Sequence, residues 1–208
     1  MDGSRASWAN TTHDWASAVD AEHLAHIRCS PAEFAPDGPW HLALEVLAYA
    51  ADEASGQGGG RCAVVLHPDG SLSVRDHGRG TDTRVDEDGR TVKKPVMATK
   101  DLRFFDFPQA EALPDGRPRR GMSVVAALSE WLVHTNRRRG GAWTQRYEHG
   151  VPVTGLEPVE ADGTTGTLVR FRPDGSLGAV TAPTAADLSR LAAAWPHLEL
   201  RVDDRRSG

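Results

Sequence analysis

The 208-residue sequence predicts a two-layer α/β domain with a mixed, largely antiparallel sheet. Two segments, residues 39–55 and 184–195, read as helices of buried or amphipathic type. Between them runs a series of short β-branched segments joined by turn residues, and helices recur beside this run rather than alternating with every strand. A composition of 39% hydrophobic and 25% charged residues is that of a chain with a packed core.

Residues 1–20 are polar and form a loose arm, with Trp8 and Trp15 as their large apolar groups. Residues 21–27 hold one or two helical turns, stopped by Ser30-Pro31 and Ala35-Pro36. In the helix at 39–55, Pro39 suits the first turn and Gly56 opens a loop. Trp40, Leu44, Leu47, Ala51 and Ala54 form one apolar stripe, while Glu45, Tyr49 and Asp52 share a different face. Runs at 62–66 and 71–76, joined by His67-Pro68-Asp69-Gly70, predict a hairpin. Residues 77–120 are rich in Gly and Pro, with 92–102 the one stretch suited to a short helix; so long a loop region reads as a lid. A helix is expected over 121–132 and strands over 132–136, 143–149, 151–156, 167–172 and 198–202. The expected organisation is thus an arm at 1–20 and one domain over 21–208, without internal repeats.

Several function classes drop out. No stretch approaches the roughly 20 apolar residues of a membrane helix, and the N-terminus lacks the apolar run of a signal peptide. The formal net charge of −5 gives no electrostatic footprint for nucleic acid. Three residues (Lys93, Lys94, Lys100) are lysines, so 24 − 3 = 21 are arginines, as GC-rich codon usage produces. Cys29 and Cys62 lack a CxxC partner, which excludes a four-cysteine zinc site and points to a reducing, cytoplasmic compartment.

The chemistry concentrates in Ser73–Gly80, SVRDHGRG, where a strand runs into Asp76 and the turn Gly78-Arg79-Gly80. A carboxylate at a strand end, beside backbone without Cβ atoms, suits the edge of a flat ligand. Glu45 lies upstream, and RGMSVVAALS, QRYEHGVPV and GTTGTLVRF lie downstream. In this order and spacing, from about residue 22 to 203, they resemble the N-terminal ATP-binding domain of DNA gyrase B and topoisomerase IV. That family shares the GHKL (Bergerat) nucleotide fold with Hsp90, MutL and histidine kinases, and the resemblance implies helices covering one face of the sheet.

The resemblance also implies roles. Asp76 matches the acceptor of the adenine amino group, with Thr167 sharing a water and Gly78 and Gly80 lining the turn. Val46, Val74, Met97 and Val169 match an apolar adenine slot. Glu45 matches the general base, Arg79 and Glu53 an ion pair at the pocket mouth, and Arg138 a rim residue. The departures point the other way. Tyr49 stands where the family has a magnesium-binding Asn, Ala48 replaces an Asp, and the N-terminal arm motif reads RCSPAEFAP. GRPRRGMS replaces the glycine-rich phosphate loop, with Gly121 its clear remnant. A phenol is a poor magnesium ligand, so Tyr49 is expected to be a pocket wall, or else part of the core packing. Arg119 and Arg120 read as a solvated basic loop, or else as a phosphate clamp, and Arg137–Arg139 read as a solvated turn between two strands.

The resulting expectation is a single nucleotide-binding domain without the transducer and toprim parts of a complete topoisomerase. It would bind ATP, ADP or another planar small molecule, hold no metal site, and hydrolyse ATP weakly or not at all. The alternatives are an enzyme acting on another planar substrate of specialised metabolism through Glu45 or Asp76, and a gyrase mimic that binds inhibitors. A homodimer or a gyrase-related protein is the expected macromolecular partner.

Overall fold

A computed structural model describes residues 19–81, 83–85, 91–93, 96–105, 111–178 and 183–206; the expected arm up to residue 18 lies outside them. The helices are α1 (Ala21–Cys29), α2 (Pro31–Phe34), α3 (Pro39–Gly56), α4 (Leu102–Phe105), α5 (Met122–Ala127) and α6 (Ala185–Ala192). The strands are β1 (Gly60–Leu66), β2 (Leu72–Asp76), β3 (Thr83–Val85), β4 (Thr91–Lys93), β5 (Ser129–Arg138), β6 (Gly141–Glu148), β7 (Val151–Pro152), β8 (Glu157–Pro158), β9 (Gly166–Pro173) and β10 (Leu198–Asp204). Eight strands form one sheet in the order β10-β1-β2-β9-β5-β6-β7, with β8 also on β6; β3 and β4 make a separate ribbon. The β1–β10 pair is parallel and the other pairs are antiparallel, the mixed sheet that the sequence predicts.

Alternation along the strands sets which side chains reach the helices. In β9, Thr167, Val169 and Phe171 are buried while Leu168 and Arg170 are half-exposed on the other face. Register places Thr167 opposite Asn136 and Val169 opposite His134 and Val74, so these groups share the helix-covered side. Across them lies α3, which packs against α5, β1, β2, β9 and β10. It is buried on nearly every side, including His41 and Glu45, as befits the central helix of a core rather than a surface helix. Among the described residues no helix is long and apolar enough to cross a membrane.

The structure corrects four expected elements. The helix expected to Leu132 ends at Ala127: Ser129 Oγ donates to Val125 O at 2.6 Å, and β5 begins at that serine. A continuous apolar run fits a buried helix and a buried strand alike, and here strand pairing divides it. The helix expected within 92–102 is absent at its start, because β-branched Thr91 and Val92 pair in β4; among the described residues of that stretch Leu102 alone is helical, at the head of α4. The strand expected over 151–156 shrinks to Val151–Pro152, with Glu157–Pro158 separate, since proline donates no ladder hydrogen bond. Arg137 and Arg138 belong to β5 rather than to a solvated turn, and Arg137 pairs with Asp162 at 3.2 Å.

One buried amide fastens the loop after β2 to the sheet. Asn136 Oδ1 accepts from Thr81 N at 2.8 Å and Asn136 Nδ2 donates to Thr81 O at 3.0 Å. The approach needs glycine at position 80, where φ is +82° and a Cβ would stand 2.5 Å from Arg137 O. Gly166 serves likewise at the head of β9: φ is +119° and a Cβ would collide with Asp76 O. In Asn136→Ala, Arg138 Nη1 still reaches Thr81 O, so the Thr81 N–H is the group left stranded. Urea denaturation is expected to show a loss of about 1–3 kcal/mol, the cost of an unsatisfied buried donor.

Candidate functional site

The end of β2, the loop at 77–81, one face of α3 and the head of β9 enclose a cavity of about 210 Å³. Tyr49, Asp52 and Glu53 border it from α3, Asp76 and Thr167 from the sheet, Arg79, Gly80 and Thr81 from the loop after β2, and Arg103 from α4. Asp76 is 5% exposed and tightly oriented. Its Oδ1 accepts from Gly78 N at 2.8 Å, and its Oδ2 accepts from Thr167 N at 3.1 Å and from the Thr167 hydroxyl. An ionised carboxylate has about four acceptor positions. Three are taken by the chain, so one more donor can be received from the cavity side.

Arg79 and Glu53 form the ion pair that the resemblance implies, with Nε–Oε1 at 3.0 Å and Nη2–Oε2 at 3.2 Å. The apolar residues matched to a slot do not line the cavity: Val46, Val74, Met97 and Val169 are at most 3% exposed and belong to the core. Their alternation points them inward, and the same inward direction serves the core or a ligand slot. Arg138 is half-buried and directed at Thr81 O.

A second, much smaller cavity of about 30 Å³ lies on the other side of Tyr49, bordered by Glu45, Gly121 and Met122. Glu45 is 1% exposed and fastens the chain just before α5: it accepts from the Arg120 amide and, at 2.9 Å, from Gly121 N. His41, one helical turn earlier, brings Nε2 to 3.3 Å from Glu45 Oε1 at ion-pair distance, outside hydrogen-bond geometry. Sequence reading missed His41, although its spacing of four residues from Glu45 on a helix was the available signal.

Arg119 is not part of a solvated loop. It is 3% exposed, holds Asp52 through two bonds of 2.7 and 2.9 Å, and reaches Glu111 at 3.1 Å. Its guanidinium lies 4.6 Å from the Phe104 ring centre, and that of Arg103, itself bound to Asp101 at 2.8 and 3.1 Å, lies 4.8 Å from it. Nor is Arg120 at the cavity: its guanidinium sits 5.8 and 6.0 Å from the Phe105 and Phe34 rings. The partners that bury Arg119 come from α3 and from residue 111, and local sequence gives no sign of them.

Tyr49 donates to or accepts from Thr81 Oγ1 at 2.6 Å. Burial pushes its phenol up to about 12; the Thr81 hydrogen bond opposes this, and the nearby carboxylates of Asp76, Glu53 and Asp52 add to it. Burial likewise raises Tyr147, the other tyrosine of the chain. Cys62 is raised by burial and by Asp76, so it is a packed thiol and not a nucleophile. In the unfolded chain the Tyr49 phenol ionises near 10, whereas the folded phenol keeps its proton to about 12. The folded state therefore binds more protons between these values, and stability falls as pH rises through that window. Absorbance titration near 295 nm is expected to show little tyrosinate at pH about 10–11 in the native chain and, once denatured, ionisation rising from about half to about nine-tenths over that range.

No protein-family model matches the chain. It is 35% identical over 179 residues to the DNA gyrase B protein of Thermotoga maritima, covering 82% of this chain and 28% of that protein. To the DNA topoisomerase 4 B protein of Bacillus subtilis it is 34% identical over 153 residues, covering 73% of this chain and 23% of that one. The chain thus spans about a quarter of the length of these relatives. Among solved structures, the topoisomerase IV ATP binding domain of Francisella tularensis in complex with a small molecule inhibitor superposes with a TM-score of 0.69 at 23% identity, over 87% of this chain and 50% of that one. That likeness establishes the GHKL-type fold. The extent and level of sequence identity establish descent: the chain is a homologue of the N-terminal ATPase domain of the gyrase B and topoisomerase IV B proteins.

Proposed function

We propose that this domain binds the base of a purine nucleotide, or a ligand with a similar planar edge, at Asp76, and that it hydrolyses ATP weakly or not at all. The observation that carries the reading is the Asp76 carboxylate, fixed by Gly78 and Thr167 with one acceptor position left on the wall of the 210 Å³ cavity. An exocyclic amine is the donor that suits it, because a buried carboxylate must be paired and a charge-assisted bond is strong. The ATP binding domain of Francisella topoisomerase IV, with the same fold, supports an adenine ligand.

The phosphate side supports weak turnover. Both Glu45 oxygens accept backbone amides, and the void beside them is about 30 Å³, room for one or two waters and not for a phosphoryl group. As a base, Glu45 would take a proton from a water in that void while Asp76 and Thr167 hold the ring. Magnesium does not fit the donors here: Tyr49 offers a neutral phenol already bonded to Thr81, and Asp52 is committed to Arg119. Among the described residues no three His, Cys, Asp or Glu side chains converge on a metal position.

Calorimetry with ADP tests the reading. Asp76→Asn turns an acceptor oxygen into a donor and is expected to weaken ADP binding by about 10- to 100-fold, or roughly 1.4–2.7 kcal/mol. Unchanged affinity in that variant removes Asp76 as the base-binding group. Glu45→Ala is expected to abolish whatever ATP turnover the chain has, measured as phosphate release; equal turnover excludes Glu45 as the base.

A further inference from the structure

We infer that the occupant of the Asp76 cavity carries no phosphate chain, and that the site takes an amine-bearing purine as the free base or nucleoside. The inference rests on the base-binding reading above and narrows it by three observations.

The first is size. At about 210 Å³ the cavity falls below the roughly 300–1,000 Å³ of clefts that enclose drug-sized ligands. A base with a sugar is the scale of ligand that it can enclose.

The second is a partition. Tyr49 borders both cavities, and its hydroxyl is bonded to Thr81 on the opposite wall at 2.6 Å. Side chain and hydrogen bond together bridge α3 and the loop after β2. With Arg103, which also borders both cavities, they stand between the Asp76 end and the Glu45 end, across the course that a phosphate chain would take.

The third is charge. Three carboxylates, Asp52, Glu53 and Asp76, face the cavity, and its two guanidiniums are already engaged. Arg79 is held by Glu53, and Arg103 is held by Asp101 and lies 3.8 Å from Asp52. Arg119, the cation nearest the α5 end of this network, is held by Asp52 and Glu111. Among the described residues, a triphosphate would have to take its counter-charge from guanidiniums that carboxylates already hold, the exposed Arg79 and the half-exposed Arg103 included, a competition that a neutral nucleoside avoids.

Titration calorimetry on the full chain, with adenosine and with ATP, each with and without magnesium, tests the inference. Adenosine is expected to bind about tenfold or more tightly than ATP, with no gain for ATP on adding magnesium. Tyr49→Ala joins the two cavities and is expected to narrow that ratio by about tenfold or to reverse it. Tyr49→Phe keeps the ring and loses the Thr81 bond, and should shift the ratio in the same direction by less. Tighter binding of ATP than of adenosine to the natural chain overturns the inference and leaves the base-binding reading standing. An adenosine preference that persists unchanged in a folded Tyr49→Ala overturns the partition. If neither ligand binds and Asp76→Asn changes nothing, inference and base-binding reading fall together.

Discussion

The orientation of one buried carboxylate organises this molecule. Asp76 ends β2 at the point where the chain must leave the sheet, and a buried anion there is tolerable only if its oxygens are satisfied. Gly78 supplies an amide from the turn that follows, and Thr167 supplies an amide and a hydroxyl from the neighbouring strand. Those bonds require the close approach that Gly166 permits, and they require the 77–81 loop to fold back over β5, where Gly80 and Asn136 hold it. Strand pairing, loop path and cavity therefore follow from the same set of contacts.

The side of the site next to α5 obeys another constraint: its charges neutralise one another. Glu45 holds the amides of Arg120 and Gly121, Arg119 binds Asp52 and Glu111 against the Phe104 ring, and Arg103 binds Asp101 on the other side of that network. Such pairs add little net stability by themselves, but removing one partner strands the other in a poorly solvated place. Among the described residues, the guanidiniums of Arg103 and Arg119 are already held by carboxylates. The two ends thus differ in kind, one leaving an acceptor position open and the other closed upon itself.

Much of this was legible in the sequence. Pro39, Gly56 and the apolar stripe announce α3, and the turn His67–Gly70 between β-branched runs announces the β1–β2 hairpin. Asp76 was legible because it stands at a strand end before a Gly-x-Gly turn, and Glu53 with Arg79 because their spacing matches a familiar ion pair. Position along the chain gave no means to tell a slot-lining valine from a core valine, since Val46, Val74 and Val169 face inward in either case. The burial of Arg119 was equally hidden, because its partners Asp52 and Glu111 become neighbours only when α3 and the 111–121 segment pack together. The start of β5 was obscured by an apolar run that suits helix and strand alike, until pairing with β6 and β9 decides.

The account stands on Asp76 receiving an amine from its ligand, and comparing adenosine with inosine measures that contact directly. Inosine presents a carbonyl oxygen where adenosine presents its amine, so a site built around this carboxylate meets an acceptor with an acceptor. Calorimetry is expected to give inosine a dissociation constant at least about tenfold weaker than that of adenosine. Equal affinity for the two would contradict the account, because the carboxylate would then play no part in holding the base.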